Sequence, residues 1–230
     1  MNSLTNQNVA QDGITLKTIW SQIRADSCPY HYNFHLHTYC SDGQLSPEQI
    51  IEQGITLGLK GLAISDHHSV EGYYLAQKYL KTLSHNYPKL ALPQLWTGVE
   101  ITSDLKGIEE VHLLGYAFDP EHPQIKHYFT GKRPSGTAAQ AEQVIYAIQA
   151  AGGLAVLAHP ARYHQPAKRL IPLVAQLGID ALEVYYAYGN PKPWFPSPQE
   201  TEEVKQLAES YNLLMTCGTD THGNNILQRI

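Results

Sequence analysis

Short apolar runs alternate along the chain with segments in which apolar residues recur at helical spacing. The apolar runs predict seven β-strands, at Tyr32–Leu36, Leu59–Ile64, Gln94–Glu100, Val111–Tyr116, Gly153–Ala158, Ala181–Val184 and Leu213–Cys217. The helical spacing predicts helices at Ile14–Arg24, from Ser46 onward, and at Gly72–Ser84, Thr137–Ala151, Arg169–Leu177 and Pro198–Tyr211. Because parallel strands need crossover connections, this alternation predicts an α/β fold in the form of a parallel (β/α) barrel.

The length of the chain favours a single domain. It has 230 residues, and α/β barrels of roughly 200–250 residues commonly form one domain. We therefore expect one barrel domain over residues 32–230. Residues 1–31 are expected to form an N-terminal extension with a helix after a disordered polar start.

Charge and composition exclude several classes of protein. The formal net charge is −5 and the basic residues are dispersed, so no basic stripe is present for a long nucleic-acid duplex. The three cysteines are too scattered for a disulfide framework, which favours reduced thiols. No stretch has the length and apolarity of a signal peptide or a membrane span. These features predict a cytoplasmic protein with no membrane partner.

Metal-type side chains stand out at the ends of the apolar runs. Nine of them follow in chain order: His35, His37, Asp42, His67, Glu100, His112, His159, Asp220 and His222. Residues two apart on a strand face the same way, so the imidazoles of His35 and His37 can reach one metal ion. The turn-rich segment after them can bring the Asp42 carboxylate beside these rings. In a parallel barrel such residues meet at the carboxyl ends of the strands, which predicts a multinuclear metal site.

These residues form ordered motifs that resemble those of the PHP (polymerase and histidinol phosphatase) superfamily. The motifs are His35-Leu36-His37-Thr38, Ser41-Asp42-Gly43, Ser65-Asp66-His67, Gly98-Val99-Glu100-Ile101, His112, Ala158-His159-Pro160 and Gly218-Thr219-Asp220-Thr221-His222. The resemblance runs from about residue 32 to residue 223. It implies a distorted seven-stranded (β/α)7 TIM-like barrel that carries two or three divalent metal ions.

The resemblance also implies how the nine side chains are divided among the ions. One ion would bind His35, His37, Glu100 and Asp220. A second would bind Asp42, His67 and His222, and a third would bind Glu100, His112 and His159. Nitrogen and oxygen donors without thiolates suit Mn, Fe or Zn. Asp66 is expected to support a ligand from behind, because histidines that bind metals usually donate their other N–H to a carboxylate or carbonyl.

Clustered divalent ions favour hydrolysis of a phosphate ester, with a metal-bridging hydroxide as the nucleophile. Arg162 and Arg133 are candidate phosphate-binding residues, because a guanidinium group binds phosphate through two hydrogen bonds. His68 is a candidate proton donor to the leaving group. Each of these three also has a simpler interpretation, as a solvated arginine or a loop histidine. Tyr163, Tyr185, Tyr186 and Tyr188 lie beside expected mouth segments, where a ring could stack on a nucleobase.

Within the superfamily, the segments Ser41–Glu48 and Gly58–Ile64 are most similar to small phosphoesterases that act on nucleotides or short RNA. The expected partner is therefore a small phosphorylated substrate, as a phosphomonoester or phosphodiester. Only 46 residues separate His112 from His159, which leaves no room for the extra domain that many such relatives insert there. Two alternatives stay open: a histidinol-phosphate phosphatase, and a non-catalytic metal-binding module.

Overall fold

A computed structural model describes residues 11–230 of the protein. The strands are β1 Tyr32–Asn33, β2 Gly61–Ala63, β3 Gln94–Trp96, β4 Gly98–Leu105, β5 Glu109–Tyr116, β6 Leu154–Leu157, β7 Ala181–Tyr185 and β8 Leu214–Cys217. The α-helices are α1 Gly13–Trp20, α2 Pro47–Leu57, α3 Glu71–Asn86, α4 Ala141–Ala150, α5 Ala167–Gln176 and α6 Pro198–Ser210. The polar start that was predicted to be disordered lies mostly outside the described residues.

The strands form two sheets rather than one barrel sheet of seven strands. The first sheet has the order β1-β2-β3 with parallel neighbours, and the second has the order β4-β5-β6-β7-β8. In the second sheet β5 is antiparallel to both β4 and β6, whereas β6, β7 and β8 are parallel. The mixed α/β class is confirmed, but the all-parallel arrangement of seven strands is wrong for the described residues.

Two local features explain the difference. The predicted strand Gln94–Glu100 divides at Thr97 into β3 and β4, which belong to different sheets. No helix lies between β4 and β5, and their connection turns through Gly107 at a φ of 67°. Because so short a connection can join only antiparallel strands, the pair forms a hairpin.

Backbone hydrogen bonds hold the ends of the two sheets close together. The amide of Phe34 donates to Cys217 O over 3.2 Å, and the amide of Asp220 donates to His35 O over 2.9 Å. On the other side, the amide of Glu100 donates to Asp66 O over 3.2 Å. The segments that follow β1 and β8 therefore lie together, and the segment that follows β2 lies against β4. Most of the predicted site residues lie in these three segments.

The helices largely follow the predicted positions. In α2, Ser46 caps the N-terminus by accepting the amide of Gln49, and the Gln49 side chain accepts the amide of Ser46 in return. The predicted helix over residues 137–151 divides into a 3-10 turn, Gly136–Ala139, and α4. Helix α1 ends at Trp20, whose buried ring lies edge-on to Phe34 and Tyr116.

No helix among the described residues is long and apolar enough to cross a membrane.

Candidate metal centre

The nine predicted side chains come together at the ends of β1, β2, β6 and β8 and on β4 and β5. Glu100 lies on β4 and His112 within β5, while the others lie in the segments that follow the strands. Each of the nine has a nitrogen or carboxylate oxygen within 3.7 Å of another member of the set. The sequence motifs therefore converge in space, although Glu100 and His112 lie inside strands rather than at the predicted strand ends.

Four buried donor atoms form a compact group, which we call the inner group: His35 Nε2, His37 Nε2, Glu100 Oε2 and Asp220 Oδ1. The Nε2 atom of His35 lies 3.1 Å from that of His37, 3.0 Å from Glu100 Oε2 and 3.3 Å from Asp220 Oδ1. The Nε2 atom of His37 lies 3.0 Å and 3.2 Å from the same two oxygens. Donors about 2.0–2.1 Å from a tetrahedral zinc ion would lie about 3.3 Å apart. The spacing of the inner group is therefore close to that of a four-coordinate metal site.

A second set of donors, the outer group, consists of Asp42, His67 and His222. Asp42 Oδ2 lies 3.3 Å from His222 Nε2 and 3.7 Å from His67 Nε2. The Nδ1 atom of His37 faces this group, 3.6 Å from Asp42 Oδ1. The Asp42 side chain is 53% exposed, whereas the inner side chains are at most 2% exposed. The outer group is therefore the part of the centre that solvent and a substrate can reach.

Glu100 connects the inner group to a third set of donors. Its Oε2 atom belongs to the inner group, while its Oε1 atom lies 2.8 Å from His112 Nδ1 and 3.4 Å from His159 Nε2. His67 also approaches this carboxylate, with its Nε2 atom 3.6 Å from Oε2. The two oxygens of Glu100 thus point to different histidines, so this one carboxylate belongs to two sets of donors.

Three residues of the site region have left-handed backbone conformations. The φ angles are 51° at His68, 31° at His159 and 53° at Asp220. Residues other than glycine adopt this conformation in only a few per cent of cases, most often as asparagine, aspartate or histidine, and such conformations cluster at functional sites. Immediately after β6 the His159 side chain faces Glu100 Oε1, and immediately after β8 the Asp220 side chain faces His35 and His37 of the inner group.

Asp66 supports the site differently from the way predicted. Its carboxylate accepts hydrogen bonds from the Thr38 amide over 2.6 Å, the Thr38 hydroxyl over 2.7 Å and the Ser41 hydroxyl over 2.7 Å. None of these donors is a histidine. Asp66 therefore fixes the turn that carries Asp42, and the carboxylate that contacts a histidine from behind is a different residue.

That carboxylate is Glu183, on β7, which the sequence analysis missed. Its Oε1 atom lies 2.9 Å from His35 Nδ1, and its Oε2 atom accepts the His159 amide over 2.8 Å. The signal in the sequence is one acidic residue inside the otherwise apolar or aromatic run of β7. A buried carboxylate is costly unless it has partners, so its presence in a buried strand indicates a polar network.

Two further residues contact Asp220: Tyr186, which was predicted only as a ring that could stack on a base, and Arg229, which no sequence motif singled out. Tyr186 donates its hydroxyl to Asp220 Oδ2 over 2.7 Å, and Arg229 donates its Nε–H to the same oxygen over 2.8 Å. No local motif marks either residue, since each is placed by tertiary contacts. The second oxygen of Asp220 is thus occupied by cationic and hydroxyl donors and is turned away from the histidines.

The three residues predicted to act beside the metals have different environments. Arg162 reaches the centre, with its Nη1 atom 3.1 Å from Asp220 Oδ2. Arg133 is exposed and forms an ion pair with Glu110 on β5. His68 is buried, and its Nε2 atom lies 3.2 Å from Thr102 Oγ1. Of the three, the contacts bring only Arg162 to a donor of the inner group.

The predicted stacking tyrosines are held in place by the protein itself. Tyr185 and Tyr186 are buried. The Tyr163 hydroxyl accepts the His112 amide, and the Tyr188 hydroxyl accepts the Ala161 amide. Tyr163, Tyr186 and Tyr188 form a wall beside His159, and Tyr185 packs in the hydrophobic core, so these contacts do not favour the predicted role in stacking.

Burial and close charges shift the pKa values of the donors. Burial alone lowers the pKa of His37, but hydrogen bonds to Asp220 and Glu100 outweigh it and raise the pKa to about 9. Burial lowers the pKa of His67 to about 4, so its ring is neutral at neutral pH. Burial opposes ionisation of Glu100, yet the charge of His35 holds the pKa of this carboxyl well below its usual range. Burial, followed by His67 and His112, also lowers the pKa of His68 to about 4, so His68 carries no acidic proton at neutral pH.

The donor set fits divalent metal ions. Buried Nδ1 atoms of His37, His67 and His159 have no hydrogen-bond partner, although buried polar atoms are normally paired. The His37 atom points into the outer group, where an ion would complete its contacts. Imidazole and carboxylate donors without thiolates suit Mn, Fe or Zn.

Comparison with protein families and curated proteins places these motifs among known sequences. A family model described as PHP domain matches residues 33–217. The 5′-3′ exoribonuclease Rnm of Salmonella typhimurium is 26% identical over 262 residues, covering 83% of this chain and 85% of the relative. A 3′,5′-nucleoside bisphosphate phosphatase of Chromobacterium violaceum is 28% identical over 120 residues, covering 52% of this chain and 39% of the relative.

Solved structures with the same fold include two bacterial proteins. An amidohydrolase from Chromobacterium violaceum has a TM-score of 0.68 at 20% identity, covering 84% of this chain and 88% of the other. A protein assigned as a metal-dependent phosphoesterase from Bifidobacterium adolescentis has a TM-score of 0.66 at 23% identity, covering 85% and 89%. At these identities the likeness concerns the fold.

Proposed function

Since this chain belongs to the PHP domain family, we propose that it hydrolyses a phosphate ester of a nucleotide or short oligonucleotide with the help of bound divalent metal ions. The family and its hydrolase relatives identify the chain as a phosphoesterase, and the nucleotide substrate is the proposal. The observation that carries the proposal is that His37 belongs to the inner group and also faces Asp42 of the outer group. The buried donors therefore lie next to an accessible set of donors, and Arg162 contacts Asp220 beside them.

We propose that two or three divalent ions occupy the centre. The inner group would hold one ion, and the outer group would hold another with help from His37 Nδ1. Glu100, His112 and His159 would hold a third, to which His67 is also close. When bound, such ions lower the pKa of a coordinated water and neutralise phosphoryl oxygens. The exposed Asp42 and the partly exposed His67 and His222 leave the accessible side open for water and substrate.

Arg162 and Arg229 are proposed to bind the phosphoryl group. Both contact Asp220 Oδ2, and Arg162 remains 43% exposed at the rim of the centre. A guanidinium group can donate two parallel hydrogen bonds to phosphate, so each arginine has donors left for a substrate. The two arginines would orient the ester so that its phosphorus lies close to the outer group.

The relatives favour nucleotide-derived substrates. One relative is named as a 5′-3′ exoribonuclease and another as a 3′,5′-nucleoside bisphosphate phosphatase, so one name refers to RNA and the other to a nucleoside phosphate. The aligned span of 262 residues for the exoribonuclease exceeds the 230 residues of this chain, so the relative has segments that this chain lacks.

The backbone bonds between β1 and β8 support the interpretation of the two sheets as one distorted barrel. A cytoplasmic location stays a prediction from the sequence. The role of His68 as leaving-group acid also stays a prediction, and its lowered pKa does not favour it.

A substrate panel tests the proposal. Mn²⁺-loaded protein would be incubated separately with a nucleoside 3′,5′-bisphosphate, a 5′-phosphorylated short RNA and histidinol phosphate, and products would be separated by chromatography. We expect phosphate release from the bisphosphate or mononucleotide release from the RNA, and neither with the Asp220→Ala variant. Hydrolysis of histidinol phosphate alone would overturn the nucleotide proposal, and no hydrolysis by metal-loaded protein would overturn the proposed activity on these esters.

A further inference from the structure

Glu183 is a buried carboxylate whose two oxygens are both engaged by the centre. Its side chain is 1% exposed, its Oε1 atom lies 2.9 Å from His35 Nδ1, and its Oε2 atom accepts the His159 amide over 2.8 Å. One carboxylate thus contacts a histidine of the inner group and the backbone of a histidine of the third set. Glu183 lies in the middle of β7, whereas His35 and His159 lie in the segments that follow β1 and β6.

The contact with His35 determines which ring nitrogen is free. Glu183 accepts at Nδ1, so the proton of a neutral His35 ring is held on Nδ1 and the lone pair remains on Nε2. Nε2 is the atom that lies 3.0–3.3 Å from the other three inner donors. The carboxylate also makes this imidazole a stronger electron donor.

The backbone at Gly218 packs so closely against His35 and Glu183 that no side chain fits there. A Cβ atom added to Gly218 would lie 2.1 Å from His35 Cβ and 2.8 Å from Glu183 Oε1. Only glycine lets the backbone after β8 pass so close to both residues. The register of β7 against β8 also shifts between Glu183 and Tyr185, and such irregularities redirect side chains near functional sites.

We infer that Glu183 is a positioning residue that fixes the Nδ1–H tautomer and the orientation of His35 for metal binding, and at the same time fixes the backbone that presents His159. The inference rests on the proposed function, because it requires His35 to bind a metal ion. Glu183 itself is behind the ring and does not contact the inner donors through its carboxylate. Its effect is therefore on the affinity and geometry of the ion rather than on the substrate.

Glutamine at position 183 separates this role from a general structural one. Glutamine has one acceptor oxygen and one amide group that donates, so it cannot accept from both His35 and His159. Either the side-chain amide group of the glutamine would face an N–H of His35 or His159, or the His35 proton would move to Nε2. A proton on Nε2 would block the atom that binds the metal ion. Asp180→Asn is the matched control, because Asp180 accepts the Ala155 amide over 2.9 Å and a bond from Gln149 over 3.0 Å and supports the other end of β7.

The experiment measures Zn²⁺ affinity by competition with a chromogenic chelator, and the thermal midpoint of each metal-free protein. We expect Glu183→Gln to weaken the tightest Zn²⁺ site by about 10- to 100-fold. We expect the Zn²⁺ affinity of Asp180→Asn to stay within about twofold of the wild-type value, even if its thermal midpoint falls as much as that of Glu183→Gln. Absorption spectra of the Co²⁺-loaded proteins should change in Glu183→Gln and not in Asp180→Asn.

Several results would overturn the inference. Wild-type affinity in folded Glu183→Gln, or an equal loss of affinity in Asp180→Asn, would leave Glu183 without a specific role while the proposed activity stands. If wild-type protein binds no Zn²⁺ and hydrolyses no ester, the proposed function fails together with the inference. Should Glu183→Gln not fold, ¹⁵N spectra of the Zn²⁺-loaded wild type decide: His35, assigned through its loss in His35→Gln, must show protonated Nδ1 and metal-bound Nε2.

Discussion

The Nε–H of Arg229 donates to Oδ2 of Asp220 over 2.8 Å, while the other oxygen of Asp220 faces the histidines of the inner group. Arg162 reaches the same Oδ2 atom over 3.1 Å. Two guanidinium groups therefore meet at one oxygen directly beside the proposed metal ligands. Cations so close to divalent ions favour an anionic substrate that lies across both.

Replacing either arginine tests this arrangement. Arg162→Gln and Arg229→Gln should each lower kcat/KM for a phosphate ester by about 10- to 100-fold, because a hydrogen bond to a charged group contributes about 1.5–3 kcal/mol. The loss at Arg162 should be nearer the lower value, since that side chain is half exposed. Arg169→Gln is the control, because Arg169 lies on α5 and its Nη1 contacts Gln165. Unchanged kinetics in both variants would place the phosphate elsewhere.

Metal binding should release protons. In the metal-free protein, hydrogen bonds to Asp220 and Glu100 overcome the effect of burial and raise the pKa of His37 to about 9, so this ring is protonated at pH 7.5. A metal ion needs the unprotonated ring, and the apparent affinity should therefore rise with pH up to about pH 9. Titration calorimetry in buffers of different ionisation enthalpy measures the protons released. Binding that is independent of both pH and buffer would contradict the prediction.

Asp66 should act on the outer group selectively. Asp66→Ala removes the acceptor for Thr38 and Ser41, so the turn that carries Asp42 should loosen while the inner group keeps its own contacts. Metal analysis of the purified variant should show about one ion fewer per chain than wild type. The control Asp104→Ala removes a carboxylate that accepts the Gly107 amide in the β4–β5 turn. Loss of all bound metal in Asp66→Ala would mean that the two groups are not separable.

Removal of metal should lower the thermal midpoint of unfolding. The inner group places two carboxylates and two histidines together in a buried site, and a bound ion stabilises only the folded state. A free ion at about a hundred times its dissociation constant contributes about 2.7 kcal/mol, which corresponds to roughly 5–10 °C for a chain of this size. Differential scanning fluorimetry with and without EDTA measures the shift. Equal midpoints under both conditions would argue against a structural contribution of the ions.

The sequence predicted the parts of the site that lie in short motifs. His35 and His37 face the same way because they are two apart in extended backbone, and Glu100 was expected to serve two sites. Asp66 was expected near a histidine, but side-chain hydrogen bonds place it against the Thr38 turn instead. The motif spacing predicts which residues meet at the site. It does not predict that Glu183, rather than Asp66, contacts the histidine ligand His35.

The missed features depend on contacts between distant segments. Glu183 and Arg229 reach the centre only after β7 and the segment following β8 have packed beside β1 and β6. The predicted strand direction is wrong at β5, which is antiparallel to both β4 and β6. Apolar runs indicate burial but not direction, and the absence of a helix between β4 and β5 was the one sign of an antiparallel pair.

The most direct test of the central claim combines metal analysis with phosphate release in the same samples of wild type and Asp220→Ala. The wild type should hold two or three divalent ions per chain and release inorganic phosphate from a nucleoside 3′,5′-bisphosphate. Asp220→Ala should lose most of both, because it removes one inner donor and the partner of Arg162 and Arg229. Full metal content and full turnover in the variant would contradict the account, whatever the identity of the natural substrate.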